Sequence, residues 1–231
     1  MPVLETSGTC PICGGGATFL AHTAWLRDSF LCQRCGSLPR ERALMAVLDE
    51  RVPQWRQCAL HETSPVMRGV SSRLAAECPA YVPTQFFPDA APGTLVQGVR
   101  CENLERLTFP DESFDLHVSQ DVMEHVLDPA AAFREIARTL KPGGVHVFTV
   151  PLVNKHWPTV VRARYRPDGG AELLAEAVYH GNPISDEGAL VTRDWGFDIT
   201  RFIFDACGLF TDTIVIDDLG RGIRAEYIEV L

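Results

Sequence analysis

The stretch from Glu102 to Pro151 constrains this chain more than any other. After the turn signal Pro110-Asp111-Glu112-Ser113, the run from Phe114 to Val118 is short and largely apolar and reads as a buried strand. From Asp128 onward, Phe133, Ile136, Ala137 and Leu140 recur at helical spacing, and Lys141-Pro142-Gly143-Gly144 ends that helix. Val145 to Val150 then reads as a second strand. Strand, helix and strand in so few residues imply a right-handed parallel crossover, which puts ligand chemistry at the C-terminal ends of its strands. At 231 residues the chain can hold one α/β domain of this kind and a small appendage.

Three blocks in this stretch carry a resemblance. Phe109-Pro110-Asp111-Glu112-Ser113-Phe114-Asp115, Asp121-Val122-Met123-Glu124-His125-Val126 and Arg138-Thr139-Leu140-Lys141-Pro142-Gly143-Gly144 keep a characteristic order and spacing. They resemble the second half of class I S-adenosylmethionine (SAM) dependent methyltransferases, nearest to the small-molecule, type 11-like branch. The resemblance implies an α/β, Rossmann-like fold over residues 39–231, a seven-stranded and mostly parallel sheet ending in a C-terminal antiparallel hairpin. It also implies transfer of a methyl group from SAM to an oxygen, nitrogen or carbon of a small-molecule acceptor.

The same resemblance assigns cofactor positions. Glu62, after the first strand Gln57–His61, faces the cofactor's amino group. Ser64 and Pro65 stand where the family has glycines, and no glycine follows until Gly69. Gln85, near the end of a strand over residues 80–87, replaces the carboxylate that grips the ribose; an amide both donates and accepts but is a weaker bidentate acceptor. Glu102 or Asn103 faces the adenine amino group, and Asp121 lines the cleft after the fourth strand. His125, expected at the start of the following helix, is a candidate general base, with a structural histidine as the other reading. The irregular segment 151–196 corresponds to the family's substrate lid and contributes His180 as a second catalytic candidate.

The N-terminal region reads from its own residues. Cys10-x-x-Cys13 and Cys32-x-x-Cys35 are two knuckles whose spacing matches a four-thiolate zinc site. Four thiolates close the coordination shell, so the ion is structural, and residues 1–38 read as a small zinc ribbon. His22, Trp25, Arg27 and Phe30 lie between the knuckles and could supply a recognition surface. A helix opens near Ser37, the expected cap. Arg40 and Arg42 stand at its start, where the helix dipole does not favour cations, and read as surface arginines or as contacts to an acidic cleft. Cys58, Cys78, Cys101 and Cys207 are isolated and read as reduced fillers.

Charge and hydropathy exclude some classes. Thirty acidic against 21 basic residues give a net charge of −9, ill-suited to phosphate-dominated binding, so nucleic acid is not an expected partner. No apolar run approaches the about 20 residues that span a bilayer. The N-terminus has neither a basic segment nor an apolar core of a secretion signal, which predicts a cytoplasmic location. The glycine-free loop and the missing ribose carboxylate leave one alternative: a methyltransferase-fold binding or scaffold protein with a degenerate cofactor pocket.

Overall fold

A computed structural model describes residues 1–182 and 184–231 of the chain. The cysteine knuckles organise its first layer. β1 (Leu4–Thr9), β2 (Gly16–Ala21) and β3 (Leu31–Cys32) pair antiparallel in that order, with the single turn α1 (Leu26–Ser29) before β3. Each knuckle is a tight backbone turn: Gly14 N–H donates to the Cys10 carbonyl at 2.9 Å, and Gly36 N–H to the Cys32 carbonyl at 2.8 Å.

Helix α2 (Pro39–Arg51) follows with proline in its first turn, where a missing N–H costs nothing. Its cap differs from expectation. Leu38 N–H donates to Glu41 Oε2 at 2.7 Å, while the Ser37 hydroxyl faces the cysteines, 3.2 Å from Cys35 Sγ. Then come β4 (Leu60–Thr63), α3 (Gly69–Glu77), β5 (Tyr81–Gln85), β6 (Leu95–Val96), β7 (Val99–Cys101), β8 (Phe114–Gln120), α4 (Pro129–Thr139) and β9 (Leu140–Thr149). The sheet order is β6-β7-β5-β4-β8-β9, parallel throughout except for the β6–β7 pair. Chain order reverses at β4, which creates a crevice at the strand C-termini.

One helix expectation needs correction. Glu124 and His125 do not begin a helix; α4 starts at Pro129, with Asp128 Oδ1 accepting from Ala131 N at 3.0 Å. The preceding loop is held open from outside, because Thr192 N–H takes the Glu124 carbonyl at 2.7 Å and its hydroxyl takes that of Val126, also at 2.7 Å.

Residues 151–196 fold into three small antiparallel ribbons. These pair β10 (Val160–Val161) with β15 (Arg193–Asp194), β11 (Ala163–Tyr165) with β12 (Ala171–Leu173), and β13 (Tyr179–Asn182) with β14 (Ser185–Leu190). Helix α5 (Ile199–Cys207) ends, as expected, at Gly208 in the left-handed region (φ 78°). The C-terminal hairpin is reduced to isolated bridges, Thr149–Val230 and Ile214–Val230, so the sheet is mixed with six full strands. Asp218 draws the chain away from the ladder by capping a 3-10 turn at Leu219–Arg221.

Each face of the sheet buries its own cluster. Leu44, Leu48, Trp55 and Leu74 pack with Leu60, Leu116, Val118 and Val147 on one side. Phe133, Ile136, Ile199 and Ile203 pack with Phe148, Val150 and Trp195 on the other. Burying each such side chain contributes about 1.5–3 kcal/mol.

Arg42 joins the layers. It is fully buried, not a surface residue, and donates to the carbonyls of Ser37, Phe30 (2.6 Å) and Gly222 (2.6 Å) while lying 4.9 Å from the Phe19 ring centroid. Burial pushes its guanidinium down to about 10, opposed by the cysteines nearby, so it stays charged at neutral pH. Gly222 has φ 66°, and a Cβ there would lie 2.4 Å from the Phe19 ring, so no other residue fits this junction.

A polar chain runs through the sheet. The Thr139 hydroxyl donates to the Glu135 carbonyl (2.8 Å) and so accepts from His117 Nε2–H (2.9 Å). His117 Nδ1 is then an acceptor for His61 Nδ1–H at 2.8 Å, and His61 Nε2 accepts from Thr84 at 2.7 Å. Every donor is used once, and only when both rings are neutral. Burial, and for His61 the charge of Arg100, holds His61 down at about 3; burial and neighbouring histidines hold His117 well below its usual value. Because the unfolded rings take up protons below 6.5 and the folded ones do not, their contribution is complete above that pH and is lost as pH falls towards 3. Each ring should add about 1.4 kcal/mol per pH unit to the slope of unfolding free energy below pH 6. In urea melts at pH 7, 6 and 5, His117→Gln should flatten the wild-type slope by about that amount; an unchanged slope would contradict the tautomer chain.

Candidate functional site

The crevice at the strand C-termini is a cavity of ≈ 810 Å³, within the size range of small-molecule sites. Its floor comes from Thr63 at the end of β4 and Ser64 after it, Gln85 at the end of β5, Glu102 to Leu104 after β7, and Gln120 at the end of β8 with Asp121 after it. The ribbon supplies Trp25, Arg27 and Asp28, α2 supplies Arg40 and Glu41, and the 151–196 segment supplies Tyr165, His180 and Asn182.

Of the residues expected to hold a cofactor, Ser64, Gln85, Glu102, Asn103 and Asp121 line this cleft, and Glu62 does not. Glu62 is fully buried beneath it and accepts from Ser71 Oγ (2.6 Å), Tyr81 OH (2.7 Å) and Gln120 Nε2 (3.1 Å). Burial raises its carboxyl above the usual range, opposed by those three donors. It therefore acts by orienting Gln120, which does reach the cleft. Ser64 takes φ 54°, a left-handed conformation normally given to glycine, so the loop keeps a glycine-like turn without one. The close approach falls instead at Gly69, where a Cβ would lie 2.5 Å from the Glu41 carboxyl carbon.

The other acidic positions differ in how far they are committed. Glu102 accepts from Arg100 Nε at 2.7 Å and Thr108 N at 2.9 Å. Asn103 Oδ1 accepts from Glu105 N at 2.9 Å, leaving its amide NH₂ to donate. Gln85 makes no side-chain hydrogen bond among the described residues, so its whole amide is available. These groups fit a nucleoside-bearing cofactor through amides and a hydroxyl rather than through carboxylates.

Asp121 is the centre of charge. It too is left-handed (φ 51°), which an aspartate tolerates. Its carboxylate accepts from Arg27 Nη2 at 2.6 Å and Thr149 Oγ1 at 3.0 Å, and forms an ion pair with Arg40 Nε at 3.1 Å. Arg40 continues to Asp28 at 2.8 Å. Of the four ribbon residues available as a recognition surface, Trp25 and Arg27 reach the cleft, whereas Phe30 fills the ribbon core. Trp25 packs 6.1 Å from Tyr227, across from the sheet. The sequence offered two signals for this arrangement, the cation at a helix start for Arg40 and the place of Arg27 between the knuckles.

His125 and His180 meet at the far wall, with ring centroids 5.2 Å apart. Burial lowers both from their usual values, more than the neighbouring charges offset. His125 Nδ1 lies 2.9 Å from the Leu190 carbonyl, which must accept, so the proton is on Nδ1 and Nε2 carries a lone pair. Elsewhere in the 151–196 segment, Trp195 is fully buried in the core, Trp157 is exposed, and Arg162 pairs with Asp194 at 2.8 Å.

The four cysteines form a second site outside the cleft. Their sulfurs lie within 4.8 Å of one another, and Cys10 Sγ is 3.8 Å from Cys35 Sγ. Thiolates about 2.3 Å from a tetrahedral ion are about 3.8 Å apart, so the set fits such a centre. No cysteine among the described residues is in a disulfide.

Residues 54–148 match the family model of the methyltransferase domain. That span runs from just before β4 to the end of β9 and contains every expected cofactor position. A ubiquinone biosynthesis O-methyltransferase of Bradyrhizobium sp. (strain ORS 278) is 30% identical over 116 residues, which are 50% of this chain and 41% of that protein. The corresponding enzyme of Parvibaculum lavamentivorans is 41% identical over 69 residues, 29% of this chain and 27% of its own. The chain spans less than half the length of these curated relatives. Among solved structures, a SAM-dependent methyltransferase from Mesorhizobium loti is similar at a TM-score of 0.45 and 19% identity, covering 71% of this chain and 80% of that one. The methyltransferase match does not reach the ribbon or the 151–196 segment, which wall the cleft from outside it.

The Arg27–Asp121 contact links ribbon and matched domain across one ion pair. A double-mutant cycle with Arg27→Ala and Asp121→Ala should give a coupling of about 1–3 kcal/mol in unfolding free energy. Additive losses would show that the two segments do not hold each other.

Proposed function

We propose that this chain is a SAM-dependent methyltransferase acting on a small-molecule acceptor, with a structural zinc ion held by Cys10, Cys13, Cys32 and Cys35. The observation that supports the reading best is the convergence of Ser64, Gln85, Asn103 and Asp121 on one open cleft at the ends of adjacent parallel strands, inside the span that matches the methyltransferase domain. SAM, when bound, would supply an electrophilic methyl group to a lone pair of the acceptor, and Ser64, Gln85 and Asn103 are the residues that would hold it.

The chain's own residues position the partners. The Gln85 amide can donate to and accept from ribose hydroxyls, and Asn103 offers its NH₂ to the adenine side. Glu62 keeps Gln120 aimed at the cleft. Asp121, neutralised by two arginines, shapes the wall between cofactor and acceptor. His125 and His180 line the same cleft, where either could take a proton from an acceptor bound beside them.

Calorimetric titration with SAM and with S-adenosylhomocysteine tests the reading. Micromolar binding is expected, weakened about tenfold or more by Gln85→Ala, which removes hydrogen bonds worth about 1.4 kcal/mol together. The commitment of Glu102 and Asp121 to protein donors favours one second reading, a scaffold with a degenerate pocket. Absence of binding at millimolar SAM would put that reading first. For the ribbon, Cys10→Ser or Cys35→Ser should release zinc and lower the melting temperature. Unchanged metal content would overturn the four-thiolate assignment.

A further inference from the structure

Glu124 is the anomaly of the cleft. Its side chain is 2% exposed, yet neither carboxylate oxygen has a hydrogen-bond partner among the described residues. A buried carboxylate without a donor is costly, and such a group calls for a cation or a proton. Arg27 Nη2 and Arg40 Nε both go to Asp121, and Arg27 Nη1, though without a partner, makes no hydrogen bond to Glu124. What surrounds Glu124 instead is a pair of imidazoles. His125 Nε2 lies 3.7 Å and His180 Nδ1 3.8 Å from its Oε1.

We propose that Glu124, His125 and His180 form a divalent-cation site in the wall of the cleft, separate from the ribbon's cysteines. Two imidazoles and one carboxylate are a ligand set for zinc and related borderline metals, one that leaves coordination positions open. Ligands about 2.1 Å from a tetrahedral ion stand about 3.4 Å apart; the two Glu–His spacings exceed that by a few tenths of an ångström, and all three ligand atoms lie within 4.8 Å of one another. The hydrogen bond from His125 Nδ1 to the Leu190 carbonyl is the outer contact that fixes a metal-binding tautomer, and it turns the Nε2 lone pair to the site.

The three ligands come from two parts of the chain. Glu124 and His125 sit in the loop after β8, whereas His180 lies on β13, in the hairpin that closes with β14. A bound ion therefore pins this hairpin over the cleft, and its open positions face the cavity, where an oxygen donor of a bound small molecule can enter. The inference stands whether or not the cleft takes a sulfonium cofactor.

The test is metal stoichiometry on the full chain. Protein dialysed against micromolar excess zinc chloride and then desalted is analysed for bound zinc, alongside Glu124→Gln and His180→Ala. Wild type should hold one equivalent more than either variant, and all three should keep the ribbon's ion. His180 is half-exposed on a surface hairpin, so its replacement leaves the fold intact even where a change at Glu124 does not. Zinc should also slow hydrogen exchange across residues 179–182 and 185–190 in wild type and not in His180→Ala. Equal zinc content in wild type and His180→Ala would overturn the site and leave Glu124 as a partner for the free Nη1 of Arg27.

Discussion

The guanidinium of Arg42 is the point on which the three parts of this structure meet. It takes carbonyls from the ribbon at Phe30, from the ribbon–helix junction at Ser37 and from the C-terminal turn at Gly222. A charge buried this deeply is tolerated because its donors are satisfied and because the four-cysteine cluster lies beside it. Four thiolates around a divalent ion, as proposed for this cluster, would carry a net negative charge and so favour the buried arginine. The ribbon is thus not an appendage joined by a linker. It is set against the sheet by a buried cation at the start of α2.

That placement decides what the cleft contains. With the ribbon fixed, α1 presents Arg27 and α2 presents Arg40 to Asp121, which a left-handed backbone turns towards them. The strand ends provide amides and a hydroxyl, the ribbon provides cations and Trp25, and the 151–196 segment provides His180 and Tyr165. Only the first set belongs to the span that matches a methyltransferase domain. The two segments outside that span thus add residues to the cleft that the match does not cover.

The parallel core was legible in the sequence because local signals agreed. Apolar strands, the period of α4 and the stop before β9 all pointed to one crossover. The cysteine spacing made the ribbon equally plain. The C-terminal hairpin was over-read, since alternating apolar residues at 213–217 and 225–230 do not reveal that Asp218 and Gly222 are drawn into other contacts. Arg42 was read as solvated because nothing in a single sequence shows three carbonyls converging on it. The candidate cofactor positions followed from the resemblance, and five of the six, Ser64, Gln85, Glu102, Asn103 and Asp121, line one cleft. The commitment of Glu62, Glu102 and Asp121 to protein donors depends on residues 2 to 94 positions away, beyond the reach of local pattern.

Arg27 of the ribbon, with Arg40 of α2, holds the loop after β8 in its cleft-facing form through Asp121. Hydrogen exchange on metal-loaded and chelator-treated protein measures this directly. Loss of metal should deprotect residues 119–128 along with the ribbon, because Arg27 leaves Asp121 when the knuckles open. Deprotection confined to residues 1–38, with the loop unchanged, would mean that the cleft is built by the sheet alone and that the ribbon merely rests on it.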